Sequence, residues 1–244
     1  MANELMKAGD FKIAKVEEDV AEMIREEMRG LGTVAFDNVK IPAGGGLAFE
    51  VPGDDPENPD VEKEITCVIL AHVPVNVFFE KDYDGEAVTP DCVAYDGTTG
   101  YNANTGEITS CKECPFNQFG SGKNGGKACQ NRHELYILRE GQPLPFRLTL
   151  PATSLKNFKE YMFKRVLMKN KKLHNVVTKI TLKKAQNSGG IAYSQACFAP
   201  GGDLSEEQVK ALQGSVKLVE SVLSERKAKA ALTEIDNELS PFED

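Results

Sequence analysis

Residues 176–198 read VVTKITLKKAQNSGGIAYSQACF, and this stretch decides the fold class. β-branched and aliphatic residues dominate 176–182, a composition that fits a pleated, half-buried strand. Asn187-Ser188-Gly189-Gly190 has the chemistry of a turn joining two antiparallel strands. Residues 191–198 read as the partner strand, with Cys197 as a structural residue within it. Pro200-Gly201-Gly202 then stops the pattern.

Upstream, residues 154–169 predict a helix. Ser154 is placed to cap it, and Leu155, Phe158, Tyr161, Met162 and Val166 make one apolar face. FRLTL at 146–150 and ELYIL at 134–138 predict strands. Earlier still, 33–36, 39–41, 47–51, 65–71 and 75–79 are short strand-like runs, with Cys67 buried in one of them. They are set apart by Pro42-Ala43-Gly44-Gly45-Gly46, by an acidic loop at 53–64, and by Pro74. The glycine run lacks the Gly-Lys-Ser/Thr of a phosphate loop and reads as a turn. Many short strands between turn signals predict a mainly β, α+β chain built on a barrel or sandwich. Val16, Val20, Met23, Ile24 and Met28 predict a helix within 1–30. Downstream, 204–231 predicts a long helix with a capping box from Ser205 to Gln208 and an apolar face of Val209, Leu212, Val216, Val219, Val222 and Leu223. The chain closes on LTEIDNELSPFED, with five acids and no base, too polar to order itself.

The 244 residues are 41% hydrophobic and 27% charged, the balance of a globular protein. No run has the length and apolarity of a membrane span. The acid-containing N-terminus lacks a signal-peptide core. A cytoplasmic location is expected, where thiols stay reduced and clustered cysteines serve metals. Net charge is -8, yet its distribution is lopsided. Residues 111–184 carry 16 Lys and Arg against 4 Asp and Glu; the rest carries 13 against 33. So concentrated a positive stretch points to a polyanion.

Between the strands lies a polar stretch with four of the six cysteines, spaced Cys92-x18-Cys111-x2-Cys114-x14-Cys129. Four thiolates suit tetrahedral zinc, and a CxxC pair reaches one ion from a single tight turn. His133, four residues after Cys129, offers a three-cysteine, one-histidine alternative to Cys92. An iron–sulfur cluster uses the same donors but nothing here calls for electron transfer. His72 and His174 stand alone. Four thiolates would close the site to substrate, and HExxH, GxSxG, Walker and deaminase motifs are absent from the sequence. A binding protein, not an enzyme, is expected.

Within the basic stretch, Phe116 and Phe119 stand in the loop beside Lys112 and Lys123 as candidate base-stacking rings. Tyr95 and Tyr101 are weaker candidates, while Tyr136, Phe146, Phe158 and Tyr161 fall on core-facing positions. Candidate phosphate contacts are Lys112, Lys123, Lys127, Arg132, Arg139, Lys156, Lys159, Lys164, Arg165, Lys169 and Lys179.

The knuckle CPFNQFGSGKNGGKAC, the short-strand pattern around it, and the acidic, aromatic terminus ELSPFED together resemble the single-stranded DNA-binding, helix-destabilising proteins of bacteriophages. The resemblance implies an OB-fold-like barrel over 1–198 with a zinc-binding subdomain inserted at 92–133, a C-terminal helix at 203–231 and a disordered acidic tail at 232–244. The T-even phage member uses one His and three Cys for zinc, whereas four Cys are offered here. It further implies sequence-nonspecific binding of single-stranded DNA in replication, recombination or repair, inside an infected bacterial cell or its nucleoid. Copies would line up along the strand, and partner proteins would be recruited through Phe242, Glu243 and Asp244. Two other functions are weighed against this: a zinc-ribbon transcription or recombination accessory factor binding duplex DNA or RNA polymerase, and a metal-dependent nuclease.

Overall fold

The structure is a computed structural model that describes residues 11–14, 20–31, 35–53, 55, 58–81, 89–187 and 189–238. It is a strand-rich mixed α/β chain. In order come α1 (Val20–Glu27), β1 (Asn38–Val39), β2 (Phe49–Val51), β3 (Asp60–Glu62), β4 (Glu64–Phe78), β5 (Cys92–Ala94), β6 (Thr99–Asn102), β7 (Ile108–Ser110), β8 (Gln130–Arg139), β9 (Phe146–Leu150), α2 (Ala152–Tyr161), β10 (Val176–Gln186), β11 (Ala192–Asp203), α3 (Glu206–Ala211) and α4 (Gln213–Glu238). None of the helices among the described residues is long and apolar enough to cross a membrane. The chain forms two compact units, one from the described residues of Met1–His72 and Glu134–Val222, the other from those of Val73–His133 and Leu223–Asp244.

In the first unit the strands run β1, β9, β8, β4, β10, β11 across the sheet. The path does not close into a barrel among the described residues. β10 and β11 form the hairpin expected from the opening stretch, with Ile180 opposite Phe198 and Gln186 opposite Ala192. Pro200-Gly201-Gly202 does not stop it: β11 runs on to Asp203, with a register shift where Pro200 faces Thr178 and Gly202 faces Val177. Asn187 makes its turn: its Oδ1 accepts from the backbone N–H of Gly189 at 3.0 Å and of Ile191 at 2.9 Å, and Gly190 takes the left-handed backbone at φ 78°. β9 alternates cleanly, with Phe146, Leu148 and Leu150 buried and Arg147 and Thr149 half-buried on the opposite face. Those residues meet Ile65, Cys67 and Ile69 of β4, Leu135 and Ile137 of β8, Ile180 of β10 and Phe158 of α2 in one core. Each such side chain contributes roughly 1.5–3 kcal/mol through burial. Cys67 belongs to this core; burial pushes its thiol up to about 12, so it is inert. His72 packs edge-on against Phe158 at 5.4 Å, and burial holds its pKa below the ordinary histidine range.

Several expectations change. Ser154 does not cap its helix. Pro151 holds that position and Ser154 lies in the first turn, fully buried, accepting the backbone N–H of Ala196 at 3.0 Å. Asn157 donates to the Ala196 carbonyl at 2.8 Å. Both side chains therefore serve the edge of β11, which otherwise would leave buried polar groups unpaired. Pro74 does not divide β4. It stands exposed between the residues that pair with β10 (up to Val68) and those that pair with β5 (from Asn76), where neither ladder needs its missing N–H. The acidic loop at 53–64 contributes β3, paired to β2 with Phe49 opposite Glu62. Of the 33–36 run, residues 33 and 34 lie outside the described residues; the strand appears at Asn38–Val39, pairing in parallel with β9.

The helix expected over 204–231 is broken at Leu212 into α3 and α4. Its capping box forms as read, with Ser205 accepting from Gln208 N–H at 3.2 Å and the Gln208 amide oxygen accepting from Ser205 N–H at 2.8 Å. Leu212, Leu218, Val219 and Val222 are buried. α4 continues to Glu238, past the expected end at Ala231, because Leu232–Glu238 contains no Gly or Pro. Helix therefore replaces the first seven residues of the segment read as a disordered tail, and Phe242, Glu243 and Asp244 lie outside the described residues.

Candidate metal centre and nucleic-acid interface

The second unit gathers the four cysteines of the insertion by backbone pairing. β5 runs antiparallel to β6 with Cys92 opposite Asn102, and β6 antiparallel to β7 with Gly100 opposite Thr109. Cys111 leaves β7 with its N–H on the Thr98 carbonyl at 2.7 Å. The next residues fold back at once: the N–H groups of Glu113 and Cys114 both donate to the Ser110 carbonyl, at 3.1 and 2.9 Å. This is the tight turn that a CxxC pair needs to aim two sulfurs the same way. Cys129 returns to it, donating its N–H to the Phe116 carbonyl at 2.8 Å.

Two of the sulfurs lie close together. A Cβ at Gly100 would lie 2.9 Å from Cys92 Sγ and 3.7 Å from Cys111 Sγ, so these two flank the bare backbone of one glycine. Burial raises the Cys129 thiol to about 11, and the adjacent Cys111, Cys114 and Cys92 push it in the same direction. Cys92 and Cys111 are raised too, first by burial, with neighbouring thiols adding to it and a hydrogen bond from Asn76 opposing it at Cys111. The three other cysteines and Lys127 act on Cys129, and His133 is half-buried in β8. All six cysteines are unpaired thiols. Among the described residues no three His, Cys, Asp or Glu side chains converge to the spacing of a formed metal centre. Four sulfurs at ~2.3 Å from one ion would stand roughly 4 Å apart. The donor set, four thiols in one polar loop with no disulfide, fits such an ion.

A support shell surrounds the sulfurs. Asn76, 6% exposed, donates to the Gly97 carbonyl at 2.8 Å and to the Cys111 sulfur, while its own oxygen accepts from Asn131 at 2.6 Å. Asn117 donates to the Cys111 carbonyl at 2.7 Å and accepts from Lys127 Nζ at 3.2 Å. Ser121 Oγ lies 2.9 Å from the Phe116 carbonyl and accepts from Ala128 N–H at 3.0 Å. These bonds hold a stretch with no aliphatic core. Gly122 is required by contact, since a Cβ there would lie 2.7 Å from the Lys127 and Ala128 backbone. Gly100→Ala is expected to push the Cys92 sulfur aside and to lower metal affinity at least tenfold, about 1.4 kcal/mol. Competition with a chelating dye measures it, and an unchanged affinity would remove Gly100 from the site.

The sequence-selected rings and cations divide into several groups. Phe119 is 83% exposed, with Lys127 Nζ 5.3 Å from its ring centre. Phe116 is half exposed and stacks on Phe78 at 4.3 Å, with the planes 21° apart. Lys112 and Lys123 are exposed in the same loop, and Arg132 is half-buried in β8. Tyr95 already carries Arg226 of α4 over its ring at 4.1 Å. In the first unit Arg139 pairs with Glu62, and Lys179 with Glu64 at 3.0 Å, so these two are turned to carboxylates rather than presented. Lys164 pairs with Glu160 at 3.5 Å across one exposed helical turn, a contact worth little in water. Lys156, Lys159, Arg165 and Lys169 are exposed and form no ion pair among the described residues. The positive stretch is thus partly neutralised by acids from outside it, which a count along the sequence does not reveal.

Sequence reasoning missed Asn76, Asn117 and Phe78. Asn76 did leave a signal, a lone amide inside the apolar run VPVNVFF. Comparison of the chain with family models, with curated proteins and with solved structures found no match.

Proposed function

We propose that this protein binds single-stranded DNA without sequence preference, through a knuckle that a zinc ion held by Cys92, Cys111, Cys114 and Cys129 makes rigid. The observation that carries the reading is Phe119, a large ring 83% exposed on a loop tied down by side-chain hydrogen bonds, with Lys127 beside it. A ring so placed leaves a face open on which a base can stack while cations hold the phosphates. Zinc, when bound, would supply a structural cross-link of four thiolates and no open position for chemistry. The protein's own part is to orient the donors, with Asn76 on Cys111 and Asn117 on its carbonyl.

The strand order supports an OB-like reading of the first unit. β4, β8, β9, β10 and β11 supply five strands in an open arrangement, with β8 and β10 both neighbouring β4. In that reading the cysteine knuckle occupies the connection between the first and second strands, and the Asn187 turn occupies the one between the fourth and fifth. Both connections contact oligonucleotides in OB-folds. The acidic terminus completes the proposal as the segment that recruits replication or recombination proteins.

The test is binding of a fluorescent oligo-dT to the metal-loaded protein across a salt series. Affinity is expected to fall steeply with salt. Phe119→Ala is expected to weaken binding by ~1–3 kcal/mol, roughly 5- to 150-fold, without changing the salt slope. Lys112→Ala is expected to lower that slope by about one. A Phe119→Ala protein that binds as well as the parent defeats the stacking reading.

A further inference from the structure

We propose that the segment leaving α2 is a second contact for single-stranded nucleic acid, in which Phe163, Leu167 and Met168 take unstacked bases and Lys159, Arg165 and Lys169 take phosphates. The proposal rests on the single-strand reading above and places a contact in the first unit, independent of the cysteine knuckle.

The local backbone creates the patch. After Tyr161 the helix widens into a π-turn over Met162–Val166, with Leu167 N–H reaching the Met162 carbonyl, and Lys171 N–H bonds to the Val166 carbonyl. Tyr161 and Val166 are both buried, in a cluster with Val176. Five residues subtend about 140° on an ordinary α-helix, so an i→i+5 turn brings both to the same side. Of the residues between them, Met162 packs against the core while Phe163, Lys164 and Arg165 are exposed, and the chain past Val166 stays at the surface. Phe163 is 56% exposed, Leu167 49% and Met168 69%. Lys159, Arg165 and Lys169 are exposed on the same segment. A turn at Asn170, in the left-handed region at φ 55°, closes it.

Three large apolar side chains interleaved with cations are costly as a bare surface. The apolar groups lose by facing water, and the cations repel one another. A flexible polyanion with apolar faces resolves both at once: bases cover the apolar groups while phosphates meet the charges. Phe, Leu and Met are also the side chains that wedge between bases. An anionic bilayer fits less well. The chain as a whole carries -8, so a broad negative surface would repel most of it, whereas a thin strand reaches a local positive patch.

The experiment irradiates the full-length protein with an oligo-dT carrying 5-iodouracil and maps the adducts by mass spectrometry. Adducts are expected within 159–169 as well as on the knuckle. Phe163→Ala is expected to lower oligo-dT affinity about tenfold with an unchanged melting curve, and Arg165→Ala to reduce the salt slope by about one. Adducts on the knuckle alone, together with unchanged affinity of Phe163→Ala, overturn this inference and leave the knuckle reading standing. If Phe163→Ala instead abolishes binding to phosphatidylserine vesicles, or dissociates a dimer, with oligonucleotide binding unaltered, the patch belongs to a membrane or to a second copy and the inference fails. An oligo-dT that binds nowhere on the chain defeats both readings.

Discussion

Cys129→Ser is expected to strip the protein of its metal, taking zinc from about one ion per chain to near none by elemental analysis. A structural four-thiolate zinc contributes on the order of 10 kcal/mol or more to folding of the segment it holds, and this segment has hydrogen bonds but no aliphatic core to replace it. The 99–129 stretch should therefore become a site of rapid proteolysis while the first unit keeps its own melting transition. Two controls separate the explanations. Cys197→Ser should leave metal content intact, because Cys197 lies in β11, in the other unit. His133→Ala should do the same, since the proposed donors are the four thiols. Loss of metal in His133→Ala would exchange that residue for Cys92. The pH dependence has a fixed sign. Burial, with mutual repulsion adding to it, holds the Cys92, Cys111 and Cys129 thiols above their ordinary value of 9.0, so they are protonated at neutral pH without metal. An ion must displace those protons, and metal occupancy should fall as pH falls.

Leu148→Ala should be among the most damaging single changes in the first unit. The side chain is fully buried in β9, within the core formed with β4, β8 and α2. Truncation removes its burial and leaves a cavity, a loss of about 2–5 kcal/mol. Far-UV circular dichroism in urea should show the midpoint fall by an amount matching that loss, with the slope unchanged. Leu144→Ala is the comparison: that side chain is 46% exposed, and its loss should stay within about 0.5 kcal/mol. Equal effects from the two would show that the core is not where the structure puts it.

The readable parts of the fold were those where local chemistry and tertiary demand agree. The hairpin from Val176 announced itself because β-branched residues and an Asn-Gly-rich turn both point to the same pairing. The capping box at Ser205 is a local device and forms as the sequence implies. The misread parts are those where a distant partner decides. Ser154 has the chemistry of a helix cap but is claimed by the edge of β11. Pro74 ends most strands but falls between two ladders. Arg139 and Lys179 belong to a positive stretch along the chain, yet Glu62 and Glu64 meet them in space.

The same distinction runs through the candidate site. The cysteine spacing stands out in the sequence because metal ligands fall at short, recognisable intervals, and the zinc it suggests remains the proposal. The shell around it was not legible, because Asn76 precedes Cys92 by 16 positions and reaches Cys111 only once β4 and β5 pair. Phe119 was a reasonable candidate from its neighbours alone, but its exposure, and the capture of Tyr95 by Arg226, needed the folded chain. Phe158 was legible as a core residue from the helical spacing of its neighbours, and it is buried, whereas the exposure of Phe163, in the π-turn that follows, needed the folded chain.

The claim that this protein selects single strands is tested most directly by competition on the full-length, metal-loaded chain. A labelled oligo-dT is bound, then challenged with unlabelled oligo-dT or with a duplex of the same length at one fixed salt concentration. The account predicts displacement by the single strand at far lower concentration than by the duplex, because bases reach Phe119 only when unpaired. Displacement by duplex at equal or lower concentration would contradict it.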